Sequence, residues 1–514
     1  MNDEEVAKRL DLCLMEVVES FKLFDSKDER IKKLNIVRSL EHIGEQWVRE
    51  LANDQRLTHR LNDKAGLCRL LVQGSTALGI SSRSGDIDAV LLVPNFVDRD
   101  DFFTSFPSWL RKSRDISELA AVPDTFVPLI RIKVSGIQVD LVISRLATSY
   151  IPQQLDFEQT PGDLYRNMDA ISVRSLSGLH LAHELNKMMF GHAHFLPLLR
   201  VIRTWVRARA IGSYVYGFPA SIAWTIMVVY ICRRLGDNSQ ISTFCVCRRS
   251  SVCRNSEPAA ERNSGEESLA SRSHALFCLV YTFFAQFASW PWPHPVQIAS
   301  IKFASDLNIF SWDPQRNAQD GRDLMPILTP VFPNKNAAFT VRQATRKIVT
   351  DELIRARDIV SDVLRGSGTW EKLFERYDLR DDHRHFLLLT LQTTSKEELV
   401  VVGGLIDSRL RDLAQALEDE QYIRSARIAP IQESPEANQS NASCKQLRRQ
   451  WLIGMDIESA PRLPDGTRSR RNVDITGCLS TFYQILRERD AFTDFGEKLT
   501  HVYLNRSQAM QLIL

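Results

Sequence analysis

The sequence predicts a multidomain protein of the α+β class, because the hydrophobic pattern changes twice along the chain. Residues 55–150 hold short apolar runs separated by turn residues, which is typical of strands in an α/β unit. After Pro152, apolar residues recur at helical spacing, as in residues 195–206. From about residue 336, strand-like and helix-like segments alternate again, which indicates a small α/β sandwich. A length of 514 residues agrees with two or three domains.

The first unit is expected to begin with an amphipathic helix over residues 34–51, followed by strands. Residues 70–73 form a strand-like run that Gly74-Ser75 ends, and residues 88–93 form a second run. Residues 126–134 and 137–143 are two further strands, joined at Ser135-Gly136, which suits a two-residue hairpin turn. The sequence therefore predicts a compact sheet covered by a helix.

Three aspartates are placed so that their carboxylates converge on this sheet. Asp86 and Asp88 are two residues apart, so their side chains point to one face, and Asp140 lies on the return strand of the hairpin. Clustered carboxylates bind hard divalent cations, and a pair of such ions catalyses phosphoryl transfer. The alternative is that each aspartate is a solvated strand end. Gly74-Ser75 upstream and the third carboxylate favour the metal site of a DNA polymerase β-type nucleotidyltransferase.

The third unit is expected to contain strands over residues 384–393 and 422–431 with a helix over 396–417 between them. A polar stretch, 433–443, interrupts the pattern before residues 451–455 and 473–476 resume it. A helix over 481–487 and a strand over 499–504 follow. No aromatic signature for stacking RNA bases is evident on these strands.

Composition excludes few functions. Hydrophobic residues make up 44% and charged residues 25%, as in ordinary globular proteins, and the net charge of +2 provides no global basic field. RNA binding would therefore depend on local basic patches. The nine cysteines lack paired spacing, so reduced thiols are expected. Residues 221–232 and 274–290 are apolar but short, and we interpret them as buried helices, with no membrane association and no signal peptide.

A set of short motifs extends across most of the chain. The N-terminal motifs include Gly85-Asp86-Ile87-Asp88 and Phe126-Val127-Pro128. The motifs further along are Val173-Arg174-Ser175-Leu176, Gly217-Phe218-Pro219, Trp290-Pro291-Trp292-Pro293, Trp312-Asp313-Pro314 and Met325-Pro326-Ile327. This set resembles the eukaryotic, nuclear-type poly(A) polymerase family of the polymerase β-like superfamily.

The resemblance implies a domain plan. Residues 30–152 would form the catalytic palm, and 1–29 with 153–335 a helical central domain. Residues 336–507 would form an RNA-recognition-motif-like (RRM-like) domain with a loop at 433–447. Residues 233–273 are polar and would be an insertion between two helices that the family joins more directly. Their cysteines, Cys245, Cys247 and Cys253, lack a standard zinc spacing, which favours free thiols.

The resemblance also implies an activity: template-independent addition of AMP from ATP to RNA 3′ ends, with two Mg²⁺ or Mn²⁺ ions held by Asp86, Asp88 and Asp140. The expected partners are ATP, an RNA 3′ end and cleavage and polyadenylation factors. The protein is expected to be a nuclear monomer.

Nucleotide contacts carry over residue by residue from the resemblance. Phe126 and Val127 would lie against adenine and the RNA end, although Phe126 could equally be a core aromatic. The residues expected to bind ATP are Gln73, Gly74, Ser75, Ser82, Arg203, Ser221 and Ile222.

The chain departs from the family pattern where base contacts are expected. A phosphate-binding lysine is Arg203 here, and the expected tyrosine and two asparagines are Gly212, Tyr214 and Ser177. The glycines after Gly217-Phe218-Pro219 are Ala220-Ser221. Arginine keeps the charge of lysine, and Tyr214 could supply a ring in a shifted register. Two alternatives stay open: a transferase with relaxed or altered nucleotide choice, and a non-catalytic RNA-binding scaffold.

Overall fold

The computed structural model describes most of the chain. The residues described are 3–57, 66–123, 127–152, 155–236, 275–304, 307, 309–431, 447–459, 472–488 and 498–512. Phe126, nearly all of the expected insertion and most of the expected 433–447 loop lie outside these residues.

The N-terminal unit is a five-stranded mixed sheet with helices packed on it. Its strands lie in the order β1-β2-β5-β4-β3, and β2 and β5 are parallel while the other neighbours are antiparallel. The strands are β1 (Arg69–Val72), β2 (Ile87–Val93), β3 (Ile116–Val122), β4 (Leu129–Val134) and β5 (Ile137–Arg145). The helices before and among them are α1 (Asp3–Ser20), α2 (Lys27–Asp54), α3 (Gly74–Ala77), α4 (Arg99–Thr104) and α5 (Phe106–Leu110).

Helix α2 covers one face of this sheet, as its apolar spacing predicts. Ser26 begins it with a capping box: its hydroxyl accepts from the Glu29 amide, and the Glu29 carboxylate accepts from the Ser26 amide. Trp47 is fully buried beside Phe106, and its indole N–H donates to Ser105 Oγ at 2.9 Å. The hairpin turn has positive φ at both Ser135 (49°) and Gly136 (84°), as a tight two-residue turn requires.

A helical core forms the centre of the molecule. The helices after the first sheet are α6 (Pro161–Leu164), α7 (Ala170–Met188), α8 (Phe195–Ala208), α9 (Ser221–Gly236), α10 (Leu276–Ala288), α11 (Gln343–Leu364) and α12 (Trp370–Leu373). Leu14 and Val18 of α1 join this core, so the N-terminal segment packs with the central helices. Among the described residues, no helix is both long and apolar enough to cross a membrane.

The central core extends further along the chain than the sequence indicates. Val349, Leu353 and Val360 of α11 and Trp370 of α12 are buried in the same cluster as α8, α9 and α10. Helices α11 and α12, which the expected boundary at residue 336 assigns to the third unit, thus share a core with the central helices. An amphipathic pattern shows that α11 has a buried face but does not show which core receives it.

The C-terminal unit is a four-stranded antiparallel sheet with order β7-β8-β6-β9. Helices α14 and α15 pack on one face, with Leu389 and Ile453 in their shared core. The connection is β-α-β-β-α-β. The elements are α13 (Leu379–Asp382), β6 (His385–Thr393), α14 (Lys396–Asp419), β7 (Ile423–Ile431), β8 (Leu447–Ile457), α15 (Thr476–Arg487), β9 (Leu499–Asn505) and α16 (Arg506–Ala509).

Buried arginines join the central and C-terminal units. Arg427 of β7 donates to the Arg209 carbonyl at 2.8 Å and lies 3.4 Å over the Tyr377 ring. Arg209 in turn forms two hydrogen bonds with Glu352 of α11, at 2.8 and 2.9 Å. These contacts fix how the two units meet, because a buried guanidinium needs its partners in place.

Candidate active site

The sheet register places two of the expected aspartates side by side. Parallel pairing of β2 with β5 sets Asp88 next to Asp140, and antiparallel pairing of β4 with β5 sets Arg131 on the other side of Asp140. On the outer side of Asp88, the Gln73 amide donates to the Asp88 carbonyl at 2.9 Å. One row across the sheet therefore reads Gln73, Asp88, Asp140 and Arg131.

Gly74 allows the backbone to pass close to Asp88. Its φ is +60°, and a Cβ at this position would lie 2.6 Å from Asp88 Oδ2. A side chain here would meet both a conformational and a steric penalty. Gly74 and Ser75 open the short helix α3, so the turn brings their backbone next to the carboxylate.

Asp86 lies one residue before β2, on a loop that a buried ion pair holds. Lys33 of α2 bonds to Asp25 at 2.9 Å and donates to the Ser82 carbonyl, also at 2.9 Å. Asp25 additionally accepts from the Ser81 hydroxyl. Lys33 and Asp25 are both buried, so this network ties helix α2 to the segment that leads into Asp86.

Nearby cations only partly compensate the two carboxylates at the start of β2. Burial, followed by repulsion from Asp86 and Asp140, raises the pKa of Asp88 to about 7. Burial and the charge of Asp140 also raise the pKa of Asp86. A bound cation would relieve both effects, because opposite charge favours the ionised carboxylate.

Asp140 differs from the other two because it already has a cation. Arg131 Nε and Nη2 donate to its two carboxylate oxygens at 2.9 and 2.7 Å. In the part of the chain that the structure describes, no three His, Cys, Asp or Glu side chains are arranged together as a metal-binding group. Arg131 therefore competes with any cation that Asp140 would share with Asp86 and Asp88.

The donors nevertheless suit a hard divalent cation. Asp86 and Asp88 offer carboxylate oxygens, which Mg²⁺ and Mn²⁺ prefer, in a partly buried position with excess negative charge. Gly74 leaves room beside Asp88 Oδ2 that a larger residue would fill. The residues present therefore fit the metal that the sequence predicts, with Arg131 as the group to be displaced.

Arg203 is a desolvated cation without an acidic partner among the described residues. It lies on α8, and burial lowers its pKa. Arg200, one turn before it, lies over the Phe24 ring at 5.6 Å, and Phe24 pairs with Ser82 in an isolated bridge. Because residues three apart share a helix face, Arg203 lies on the side of α8 that faces the loop before Asp86. Such a guanidinium is suited to binding an anion.

The departures from the family pattern have local explanations. A Cβ on Gly212 would lie 2.7 Å from Val206 Cγ1, so the expected tyrosine would not fit this backbone. Tyr214 is 54% exposed and lies within electrostatic reach of Arg131. The Ser177 hydroxyl donates to the Arg174 carbonyl at 2.7 Å, within its own helix. Tyr214 is thus an exposed aromatic side chain near Arg131, which lies at one end of the row.

The other expected contacts lie at varying distances from this row. The Gln73 side chain packs on Gly178 of α7, where a Cβ would come within 2.3 Å of its oxygen. Ser82 lies against Gly85, and Val127 is half-buried. Ser221, at the start of α9, is exposed, and Ile222 packs on the central core. The structure brings neither Ser221 nor Ile222 into contact with the aspartates.

Sequence analysis missed Arg131, Lys33 and Asp25. Arg131 follows an alternating strand pattern that also describes Lys133, whose side chain is a surface ion-pair partner of Glu118. Only the pairing of β4 with β5 distinguishes them. Lys33 and Asp25 are polar residues near a helix start and carry no sequence signal of burial.

Two family models match the chain. The poly(A) polymerase nucleotidyltransferase domain matches residues 3–188, and the poly(A) polymerase central domain matches 194–245 and 272–376. Together they match about two thirds of the chain. The chain belongs to the poly(A) polymerase family. The break in the central model falls inside the expected insertion, and its end at 376 coincides with the end of the central core.

Named poly(A) polymerases are similar over most of the chain. The protein of Schizosaccharomyces pombe is 28% identical over 414 residues, covering 80% of this chain and 66% of the relative. That of Candida albicans is 28% identical over 504 residues, covering 92% and 82%. A nuclear poly(A) polymerase of Arabidopsis thaliana is 26% identical over 463 residues, covering 90% and 52%. The chain thus spans from about half to four fifths of these relatives.

Solved structures give a weaker likeness. The terminal uridylyl transferase Cid1 matches with a TM-score of 0.46 and 15% identity, covering 72% of this chain and 99% of Cid1. No conclusion about this chain follows from a likeness at that level.

Proposed function

We propose that this protein is a template-independent polynucleotide adenylyltransferase, which adds AMP from ATP to the 3′-hydroxyl of RNA and releases pyrophosphate. The observation that carries the proposal is the row of Asp88 and Asp140 on adjacent strands, with Asp86 at its edge, in a domain of the poly(A) polymerase family. Acidic clusters of this kind serve phosphoryl transfer with bound divalent cations.

Asp86, Asp88 and Asp140 would hold two divalent ions, Mg²⁺ or Mn²⁺. When bound, these ions supply charge neutralisation at the α-phosphate and lower the pKa of the attacking hydroxyl. In the described arrangement Arg131 neutralises Asp140, and in this proposal it gives up that carboxylate when the site is loaded.

The chain's own residues would position ATP. Arg203 would bind the triphosphate, since it is a half-buried cation without an acidic partner among the described residues. Gly74 and Ser75 let the backbone approach the phosphates beside Asp88, as the small space at Gly74 allows. Gln73, Ser82, Ser221 and Ile222 are proposed to complete the nucleotide site, and Phe126 and Val127 to contact adenine and the RNA end.

Base selection is proposed to depend on Tyr214. With Gly212 lacking a side chain and Ser177 bonded within its helix, Tyr214 supplies the aromatic surface near the row. Fewer polar base contacts imply a narrower preference for ATP, because discrimination comes from polar groups left unpaired by the wrong base. A transferase with relaxed nucleotide choice is therefore the second candidate.

The C-terminal unit is proposed to be an RRM-like domain that contacts RNA. Its β-α-β-β-α-β connection and strand order support this assignment. The sheet face opposite α14 and α15 is partly covered: Phe386, Leu388 and Leu452 are buried with Ala509 of α16. RNA contact would therefore use polar groups and loops rather than stacked aromatics on this face. A monomeric, nuclear protein that works with cleavage and polyadenylation factors completes the proposal.

Primer extension tests this function directly. The assay mixes purified protein with a labelled oligoadenylate, Mg²⁺ or Mn²⁺, and one of ATP, GTP, CTP and UTP at a time. We expect extension of the oligoadenylate to be strongest with ATP. Comparable extension with all four nucleotides would favour the relaxed transferase. A sharp preference for UTP or CTP would contradict the adenylyl assignment, and RNA binding without extension would favour a scaffold.

A further inference from the structure

A cationic cleft lies behind the catalytic loop, where the N-terminal, central and C-terminal units meet. Its volume is about 290 Å³. Its lining, within the described residues, includes four basic side chains and no acidic one: Lys22, Arg83, Arg207 and Arg376. Ser84 and Thr204 contribute hydroxyl groups.

The basic side chains of this rear cleft have little local compensation. Lys22, Arg207 and Arg376 are exposed and have no acidic partner among the described residues, whereas Arg83 has one exposed ion pair with Glu29 at 3.3 Å. Like charges brought together from separate segments repel one another, so a bound anion would relieve this repulsion.

Capping of helix α8 does not explain these cations. Arg207 lies in its last turn, where cations often bind free carbonyls. Here backbone amides already occupy those carbonyls. The Trp205 carbonyl accepts from the amide of residue 209, the Val206 carbonyl from that of residue 211, and the Arg207 carbonyl from that of residue 210. The Ala208 carbonyl accepts from the Tyr377 amide at 2.8 Å.

The walls of the rear cleft are held in place. Tyr377 is fixed by its amide bond to α8 and by Arg427, which lies 3.4 Å over its ring. Arg83 belongs to the loop that Lys33 holds through Ser82. Rigid walls are suited to binding a polyanion, because only the exposed basic side chains have to be ordered on binding.

We propose that this rear cleft binds phosphate groups of a polyanion. Arg207 lies one turn after Arg203 on α8, so the cleft continues the basic face of that helix beyond the catalytic loop. Two sources offer this chemistry: a free inorganic polyphosphate, or the backbone of a bound RNA. The proposal concerns binding in the absence of metal and does not depend on the proposed reaction.

Binding measurements on the full chain in EDTA test the proposal, with tripolyphosphate by calorimetry and fluorescein-labelled oligoadenylate by anisotropy. The test variant is Arg207→Glu with Arg376→Glu. The control, Arg316→Glu with Arg365→Glu, changes the same charge at two exposed arginines that pair with nearby aspartates. Thermal melts establish that each variant is folded, and Arg207→Lys with Arg376→Lys should retain most binding, even if the glutamate variant fails to fold.

The expected result is a loss of tripolyphosphate affinity of tenfold or more in the glutamate variant and less than twofold in the control. Arg203→Ala should leave the rear cleft's tripolyphosphate binding in place. If RNA is the source, RNA affinity also falls in the glutamate variant. The plot of log K against log salt then becomes less steep by about 1.4, the value for two phosphate contacts on a single strand. RNA affinity unchanged by the substitutions assigns the site to free polyphosphate. Unchanged binding of both ligands relative to the control would overturn the proposal.

Discussion

At the scale of single residues, Arg131 determines how many carboxylates of the acidic row are available to bind a cation. It binds both oxygens of Asp140 and thereby removes one of three carboxylates from competition for a cation. An internal cation that must leave before the site is loaded weakens metal binding in the absence of nucleotide, since the broken pair opposes the new one.

Replacing Arg131 should therefore tighten divalent-ion binding. We expect Arg131→Gln to bind Mn²⁺ several-fold more tightly than wild type in a nucleotide-free titration followed by electron paramagnetic resonance. Lys133→Gln, two residues further on β4, makes the same charge change at a surface pair and should have a smaller effect. Equal or weaker Mn²⁺ binding by Arg131→Gln would contradict the role given to Arg131.

Arg203 should matter through its charge first and its shape second. Arg203→Ala should raise KM for ATP strongly, and Arg203→Lys should recover part of the loss, because lysine keeps the charge but lacks the planar fork. Steady-state kinetics with varied ATP measures this. Unchanged ATP kinetics in Arg203→Ala would remove Arg203 from the triphosphate site.

The sequence indicated which residues form the site better than it indicated how those residues pair across the sheet. The Asp-x-Asp spacing and the Ser135-Gly136 turn are local signals, so Asp86, Asp88 and the β4–β5 hairpin could be anticipated. The pairing of β2 with β5 joins segments distant in sequence, so the register that sets Asp88 beside Asp140 could not. Long-range register is not encoded in the pattern of any single strand.

At the scale of secondary-structure elements, the ion pair between Lys33 and Asp25 joins α2 to the catalytic loop. Removing one partner of a buried pair leaves an uncompensated charge, which costs about 3–5 kcal/mol. Lys33→Met should thus lower the free energy of unfolding by about that amount, whereas Lys27→Met, at the exposed start of α2, should be nearly neutral.

Chemical denaturation of the two variants beside wild type measures this difference. The double variant Lys33→Met with Asp25→Asn should regain part of the stability, because it removes the buried negative charge as well. Equal stability of Lys33→Met and Lys27→Met would show that the buried pair does not hold the loop.

At the scale of the whole molecule, buried arginines couple the central and C-terminal units. Sequence alternation indicated the strands and helices of the third unit but not that α11 packs on the central core, because an amphipathic helix could pack on either neighbour. The contacts of Arg427 with Arg209 and Tyr377 cross the resulting boundary.

Removing the contacts of Arg427 should allow the central and C-terminal units to unfold separately. We expect Arg427→Met to show two calorimetric transitions, or one broadened transition, where wild type shows a single cooperative one. Arg424→Met, on the same strand but in an exposed pair with Glu458, should unfold like wild type. A single sharp transition in Arg427→Met, at the wild-type midpoint, would show that Arg427 does not couple the units.

The central claim is that the acidic row beside Gly74 performs nucleotidyl transfer, and Asp88→Asn tests it most directly. Asparagine keeps the size of the side chain but removes the charge that would hold the cation, a loss worth several kcal/mol. Single-turnover extension of oligoadenylate with saturating ATP and Mg²⁺ should be slower by about a thousandfold or more, at roughly 1.4 kcal/mol per tenfold. The exposed-site variant Lys133→Gln should remain near the wild-type rate. A folded Asp88→Asn protein that extends RNA within tenfold of wild type would contradict the account.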